Sequence, residues 1–348
     1  MDASKEKKIN YEEILKNYNW ILKKDQPVII SPDSDGFLCG LLMSQYLNWK
    51  VVGFYDTKIL ALKSGYKVKD CVFLDVEIFR KDIKSIGQHL LTYDKRKKAD
   101  NWDNFSNCLQ PNLLRDFDLK SDFTRKYPLA TIHFILSILG YAKIVKQLPK
   151  SASAPLLFVD GVFNNLFGYP ENCLDWFNYL DIPNEQNILY PILCQKTGFY
   201  EVMLYMKEFF KLRDTFNAKG EYINGAWHDR KTSRTGHQLR ISNGKGDIIN
   251  LVRNGDLFNF HINESSRVIG FLRALANEMG WEYNDTAWTW TKLEVYKFTK
   301  GKLESEKGSN QTFSKTNYDK TLTENPISWA IGAQNRMEYT IETPDKLP

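Results

Sequence analysis

Four short apolar runs in the first half of this 348-residue chain each lead into an aspartate, and that repetition constrains the fold more than any other feature of the sequence. PVIIS (residues 27–31) runs into Asp33 and Asp35 within SPDSDGFLCG, CVFLD ends on Asp75, HLLTYD on Asp94 and LLFVD on Asp160. Runs of this length, bounded by polar residues, read as strands buried on both faces, as in a parallel sheet. Val51–Tyr55 reads the same way. Between the runs, apolar residues return at helical spacing. Tyr11, Ile14, Leu15, Tyr18, Ile21 and Leu22 share a face over 10–24, and Phe37–Leu47 and Tyr127–Leu139 are further helices. This alternation predicts an α/β domain with a mostly parallel sheet. Polar residues that follow such strands project from the carboxyl ends, where open α/β sheets hold their sites.

The texture changes after about residue 215. Helical patterns at Leu174–Leu180 and Glu201–Arg213 give way to Asn224-Gly225, Asn243-Gly244 and Lys300-Gly301, which read as hairpin turns. One helix interrupts them, capped by Asn263, striped by Val268, Leu272, Leu275, Ala276 and Met279, and closed by Gly280. The expectation is two domains, an α/β domain over 1–195 and a smaller α+β domain over 215–348.

A single aspartate after a strand commonly caps the next helix. Several at one sheet edge would repel each other unless cations neutralise them. Hard divalent ions that take oxygen ligands, Mn²⁺ or Mg²⁺, suit such a cluster, and two of them can activate water and stabilise a leaving oxygen in phosphoester hydrolysis.

In this arrangement SPDSDGFLCGLLMSQYL resembles motif I of the DHH-superfamily phosphoesterases, and CVFLDVE is similar to motif II. GQHLLTYDKR resembles the segment that ends in Asp-His-His. QPN (110–112) followed by KYPLATIHFIL looks like the Asn-Pro and Tyr-Pro helix of RecJ-like members, and FVDGVFNNLFGYPENCLDW is similar to motif IV. The resemblance covers about residues 25–180. It implies a DHH-like domain over 1–195, a metal site of Asp33, Asp35, Asp75, Asp160 and His89, and catalytic roles for Asp35, His89 and Asp94. The C-terminal part would then be a candidate substrate-binding domain. Its nearest echo of the family's glycine-rich histidine motif is SRTGHQLR, which makes Arg234 and His237, with Arg230 nearby, candidate substrate-binding residues.

One departure bears on activity. Asp94 is followed by Lys95 and Arg96, which cannot ligate a cation while charged. His89, five residues earlier, is the candidate replacement. The reading is therefore a metal-dependent phosphodiesterase or nuclease acting on single-stranded DNA or RNA or on a small nucleotide. The alternative is a catalytically inactive DHH-like subunit that binds nucleic acid or a protein partner in a larger complex.

Charge and composition are compatible with both. The net charge of +5 permits a polyanionic partner without requiring one. Basic runs occur at Lys95–Lys98, at Arg115, Lys120, Arg125 and Lys126, and at Arg230, Lys231, Arg234 and Arg240 beside Trp227 and His228. Such residues bind phosphates, and aromatic rings can stack bases. The five cysteines are scattered without a CxxC pair, which argues for reduced thiols and a cytoplasmic protein. The charged N-terminus shows no signal peptide, and Leu129–Ala142 is too short to cross a membrane.

Overall fold

The computed structural model describes residues 8–195, 198–216, 221–223, 226–228, 236–305 and 312–348. The first strand, β1 (Pro27–Ile30), lies centrally in a nine-stranded sheet. It pairs in parallel with β2 (Lys50–Tyr55) on one side and with β4 (Val72–Leu74) on the other. Beyond β4 come β5 (Lys84–Ile86) and β6 (Cys108–Leu109), also parallel, while β3 (Ile59–Lys63) turns back antiparallel to β2. The first half of the chain thus builds a mostly parallel sheet, as its unbroken apolar runs require. The Ser34–Leu47 helix connects β1 to β2, and the chain then returns to the far side of β1 as β4. The connections therefore diverge between β1 and β4, which opens a crevice at their carboxyl ends.

The second half does not form a separate sheet. Strands β9 (Leu251–Asn254), β10 (Leu257–Phe260) and β11 (Leu293–Lys297) extend the first one, with β11 antiparallel to β3 from Leu293↔Lys63 to Lys297↔Ile59. The Ile262–Met279 helix packs on the Ser34–Leu47 helix, Phe271 lying 6.4 Å from Phe37 between ring centroids. One hydrophobic core runs from Tyr11 to Tyr339 across the expected 195–215 boundary. Outside that sheet, β12 (Thr299–Glu304), β13 (Ser328–Ala333) and β14 (Arg336–Ile341) form a small antiparallel sheet of their own. No described helix is long and apolar enough to cross a membrane.

Several local expectations change. The apolar run at 89–93 is not a strand. Leu90 and Leu91 are buried, but the carbonyl of Leu90 accepts from the side-chain amides of Gln110 and Asn112, and that of His89 accepts from Ile331 of β13. The strand lies earlier, at β5. LLFVD belongs to a helix, Ser153–Phe158, because a buried run of four apolar residues has no period to tell helix from strand. Lys300-Gly301 lies inside β12 rather than at a turn. β7 (Glu221–Ile223) pairs antiparallel with β8 (Ala226–His228), and Asn224-Gly225 itself lies outside the described residues. His261, not Asn263, caps the late helix, and Gly280 ends it at φ 69° as expected.

Candidate metal centre

The crevice between β1 and β4 is lined with carboxylates. Asp33 caps the Ser34–Leu47 helix by accepting from the N–H groups of Asp35 and Gly36. This tight entry requires glycine at 36, where a Cβ would stand 2.2 Å from the Ser31 carbonyl oxygen. Asp35, 1% exposed, points from the first turn of that helix to another helix terminus. Its two oxygens accept from Thr131 N at 2.7 Å and Ile132 N at 3.0 Å, the first N–H groups of the Thr131–Tyr141 helix. Asp75 follows β4 at φ 60°, a left-handed conformation that aspartate tolerates better than most residues. It accepts from Thr131 Oγ1 at 2.7 Å, and Ser31 Oγ lies 2.5 Å from it and 3.1 Å from Asp33. Asp160 enters from outside the sheet, at a left-handed residue (φ 52°) after the Ser153–Phe158 helix. Asp35, Asp75 and Asp160 each bring a carboxylate oxygen within 4.8 Å of the others.

Burial first, and then the neighbouring carboxylates, drive Asp33, Asp35 and Asp75 toward their protonated forms. Asp35 is raised to about 8 by burial, Asp160 and Asp33, against the opposing helix N–H groups. Asp75 lies well above the ordinary aspartate value for the same reasons, and Asp33 is also raised. A cation would relieve a cost that this cluster otherwise meets by holding protons.

The third strand end lies at β5, so its closing residues are Gly87, Gln88 and His89. Of these three only His89 is a histidine. Gly87 leaves room for the buried Glu77, whose carboxyl carbon would lie 2.4 Å from a Cβ there. Gln88 donates to Asp160, and its Oε1 is buried without a partner. His89 Nε2 stands 3.6 Å from Asp160, and its N–H donates to Glu77 at 2.5 Å. Burial opposes protonation of His89, but Asp160 and Glu77 outweigh it and raise its pKa above the ordinary histidine value.

The structure thus brings Asp33, Asp35, Asp75, Asp160 and His89 to one place. Asp94 is a correction. It closes no strand, and its carboxylate is held by Arg96 and Lys120, which lower it to about 2. Since the 89–93 segment runs on past the end of the sheet, the chain carries Asp94 away from the cluster.

His237 does reach the centre from the far half of the chain. It lines a cavity of about 450 Å³ with Asp33, Asp35, Asp160 and Arg213, its carbonyl 3.4 Å from Ser34 Oγ. Burial, with Arg213 and Arg267, lowers it to about 4, so the ring is neutral at pH 7, with Nδ1 buried and unpartnered. Arg230 and Arg234 lie outside the described residues. On the opposite side a second cavity, about 400 Å³, runs from Asp75 and His89 to Arg240, Lys58 and the β13–β14 sheet. Sequence reasoning missed Ser31, Thr131, Glu77 and Gln88. Glu77 was signalled only by its place two residues after Asp75, and Thr131 only by the Pro128 that precedes its helix.

No protein-family profile, curated protein or solved structure matches the chain.

Proposed function

We propose that this crevice is a divalent-cation centre, for Mn²⁺ or Mg²⁺, that hydrolyses phosphoesters of single-stranded nucleic acid or of a small nucleotide. The observation that carries the reading is the convergence of Asp35, Asp75 and Asp160 within 4.8 Å at a topological switch point. Opposite ligands of a six-coordinate Mg²⁺ at ~2.1 Å stand about 4.2 Å apart, so the three oxygens are near the spacing that one ion would close. Asp35 Oδ2 retains a lone pair beside its Thr131 N–H contact, while Oδ1 accepts from both Ile132 N and the Cys39 thiol. When bound, the ion would supply the activation of water and the stabilisation of the leaving oxygen. Asp33 and Ser31 orient Asp75, and Glu77 fixes the backbone of His89. His89, held toward its protonated form by Asp160, is placed to give a proton to the leaving oxygen. Four of the five free cysteines are buried, which fits a reducing, cytoplasmic setting.

A second reading has an observation of its own. The N-terminus of the Thr131–Tyr141 helix already directs two N–H groups at Asp35, so part of the negative charge is met without an ion. A binding subunit without turnover could keep the cluster on those terms. A Mn²⁺-dependent assay on single-stranded oligonucleotides and dinucleotides separates the two readings. Turnover in the wild type that falls about 100-fold or more in His89→Ala and is absent in Asp75→Asn supports the enzyme. Absence of turnover with any divalent ion, with oligonucleotide binding retained, supports the binding subunit.

A further inference from the structure

Of the basic run Arg115, Lys120, Arg125 and Lys126, the first three are paired. Arg115 grips Asp175 at 2.8 and 3.2 Å, Lys120 reaches Asp94, and Arg125 lies between Asp122 and Asp175. Lys126 makes no ion pair among the described residues. Arg336, in β14, makes none either, and its Nε is buried without a hydrogen-bond partner. The two are remote in sequence, but the segments that carry them are each tied to the backbone at or beside His89. The fully buried Asn112 donates to the carbonyls of Gln88 (3.0 Å) and Leu90 (3.2 Å) and accepts from Tyr127 N at 2.7 Å, which fixes Lys126 on one flank of His89. On the other flank, Ile331 N donates to the His89 carbonyl at 2.9 Å. The Arg336 guanidinium lies over Gly332, the next residue, where a Cβ would come 2.9 Å from Nη2.

We propose that Lys126 and Arg336, with His89 between them, form a phosphate-binding subsite at the rim of the carboxylate centre, built from both halves of the chain. Both cations are half-buried and have lost part of their hydration, and each acts on the other as a like charge, so an anion between them would stabilise both. Burial and Arg336 hold Lys126 below the ordinary lysine value, and Lys126 in turn works against protonation of His89. A phosphate has the charge and acceptor count to satisfy the Arg336 fork, the Lys126 ammonium and the His89 ring together. Its remaining oxygens would face Asp160 across His89, where a cation could be shared. The subsite rests on the cation reading for its role in hydrolysis, but not for its affinity.

The test is calorimetry and thermal melting in chelator, with inorganic phosphate and with a 5′-mononucleotide as separate probes. Lys126→Gln and Arg336→Gln should each weaken phosphate binding about tenfold or more, and the double variant should show none. Arg336→Lys, which keeps the charge but not the fork, should fall between. Without phosphate, the glutamine variants should melt at or above the wild-type temperature, since a like-charge contact has been removed. Equal affinity for both probes assigns recognition to the phosphate alone, and tighter binding of the nucleotide adds contacts beyond it; both support the subsite if the variants lose the binding. Undiminished phosphate binding in the double variant overturns the proposal, as does a wild type that binds neither probe. Asp75→Asn should retain phosphate binding while losing the Mn²⁺ response; a wild type that shows no Mn²⁺ response but binds phosphate intact would sink the cation reading alone.

Discussion

Replacing Asp75 by asparagine tests the carboxylate cluster with little disturbance to its hydrogen bonds. Both partners of Asp75 are hydroxyls, Ser31 Oγ and Thr131 Oγ1, and either can turn to accept from an amide. Asparagine also tolerates the left-handed φ of 60°. The substitution therefore removes chiefly one charge. Two carboxylates within 4.8 Å of each other repel by about 3 kcal/mol at an effective dielectric constant of 20. In the metal-free protein that repulsion depends on pH. The folded-state pKa of Asp75 is raised, so its contribution to stability is present below the ordinary aspartate value and is lost as pH rises. Asp35, raised to about 8, extends the loss to mildly alkaline pH. In chelator, Asp75→Asn should melt close to wild type near pH 4–5 and several degrees above it by pH 8–9, at about 2 °C per kcal/mol for a chain of this size. Manganese should invert the order. A ligand at about 1,000 times its Kd stabilises the native state by about 4.1 kcal/mol, more than the repulsion removed, and wild type gains this while the variant does not. The assay is differential scanning fluorimetry across pH, with chelator or Mn²⁺. An alkaline variant that melts below wild type in chelator, or that keeps the full Mn²⁺ rise, would refute the reasoning.

Other expectations follow from the same contacts. Asp94→Asn should leave turnover within about twofold of wild type, because a group held by Arg96 and Lys120 outside the cluster contributes only as an exposed ion pair does; a 100-fold loss would restore Asp94 to the site. Glu264 is 3% exposed, between Arg240 at 3.0 Å and Arg267 at 2.8 Å, so Glu264→Gln should destabilise the protein by about 3 kcal/mol, read by urea denaturation. Burial acts to raise Glu264, but the two arginines prevail and bring it to about 2, so its stabilising contribution should persist at neutral pH and fade as acid takes the pH from about 4.5 toward 2. A chain ended at residue 215 should fail to give a cooperative melt, because β3 loses its β11 partner over five paired residues and the shared core is opened; a sharp transition in that fragment would revive the two-domain expectation.

Local signals were sufficient for β1, β2 and β4 and for the helix after β1. A buried parallel strand needs an unbroken apolar run, and the capping pattern of Asp33 with Gly36 serves one entry geometry. Those three strands and their closing aspartates already contain most of the candidate centre, and the cysteine spacing already argued against a disulfide framework. What lay beyond the sequence was whatever long-range contacts decide. LLFV is equally apolar as helix or strand, and only its neighbours made it a helix that still delivers Asp160. HLLTY carries the composition of a strand, but side-chain amides from Gln110 and Asn112 take the Leu90 carbonyl and Ile331 takes that of His89, and the strand lies at Lys84–Ile86, so the closing residues are Gly87, Gln88 and His89. The hairpin texture after residue 215 suggested an independent domain, yet β3 left an open edge that β11 closes, because unpaired backbone groups on an edge are met by the nearest strand wherever it stands in the sequence. Lys126 and Arg336 were two unremarkable cations, 210 positions apart. The Asn112 side chain brings the segment of Lys126 to His89 and the β13–β14 sheet brings that of Arg336, and no local pattern encodes either.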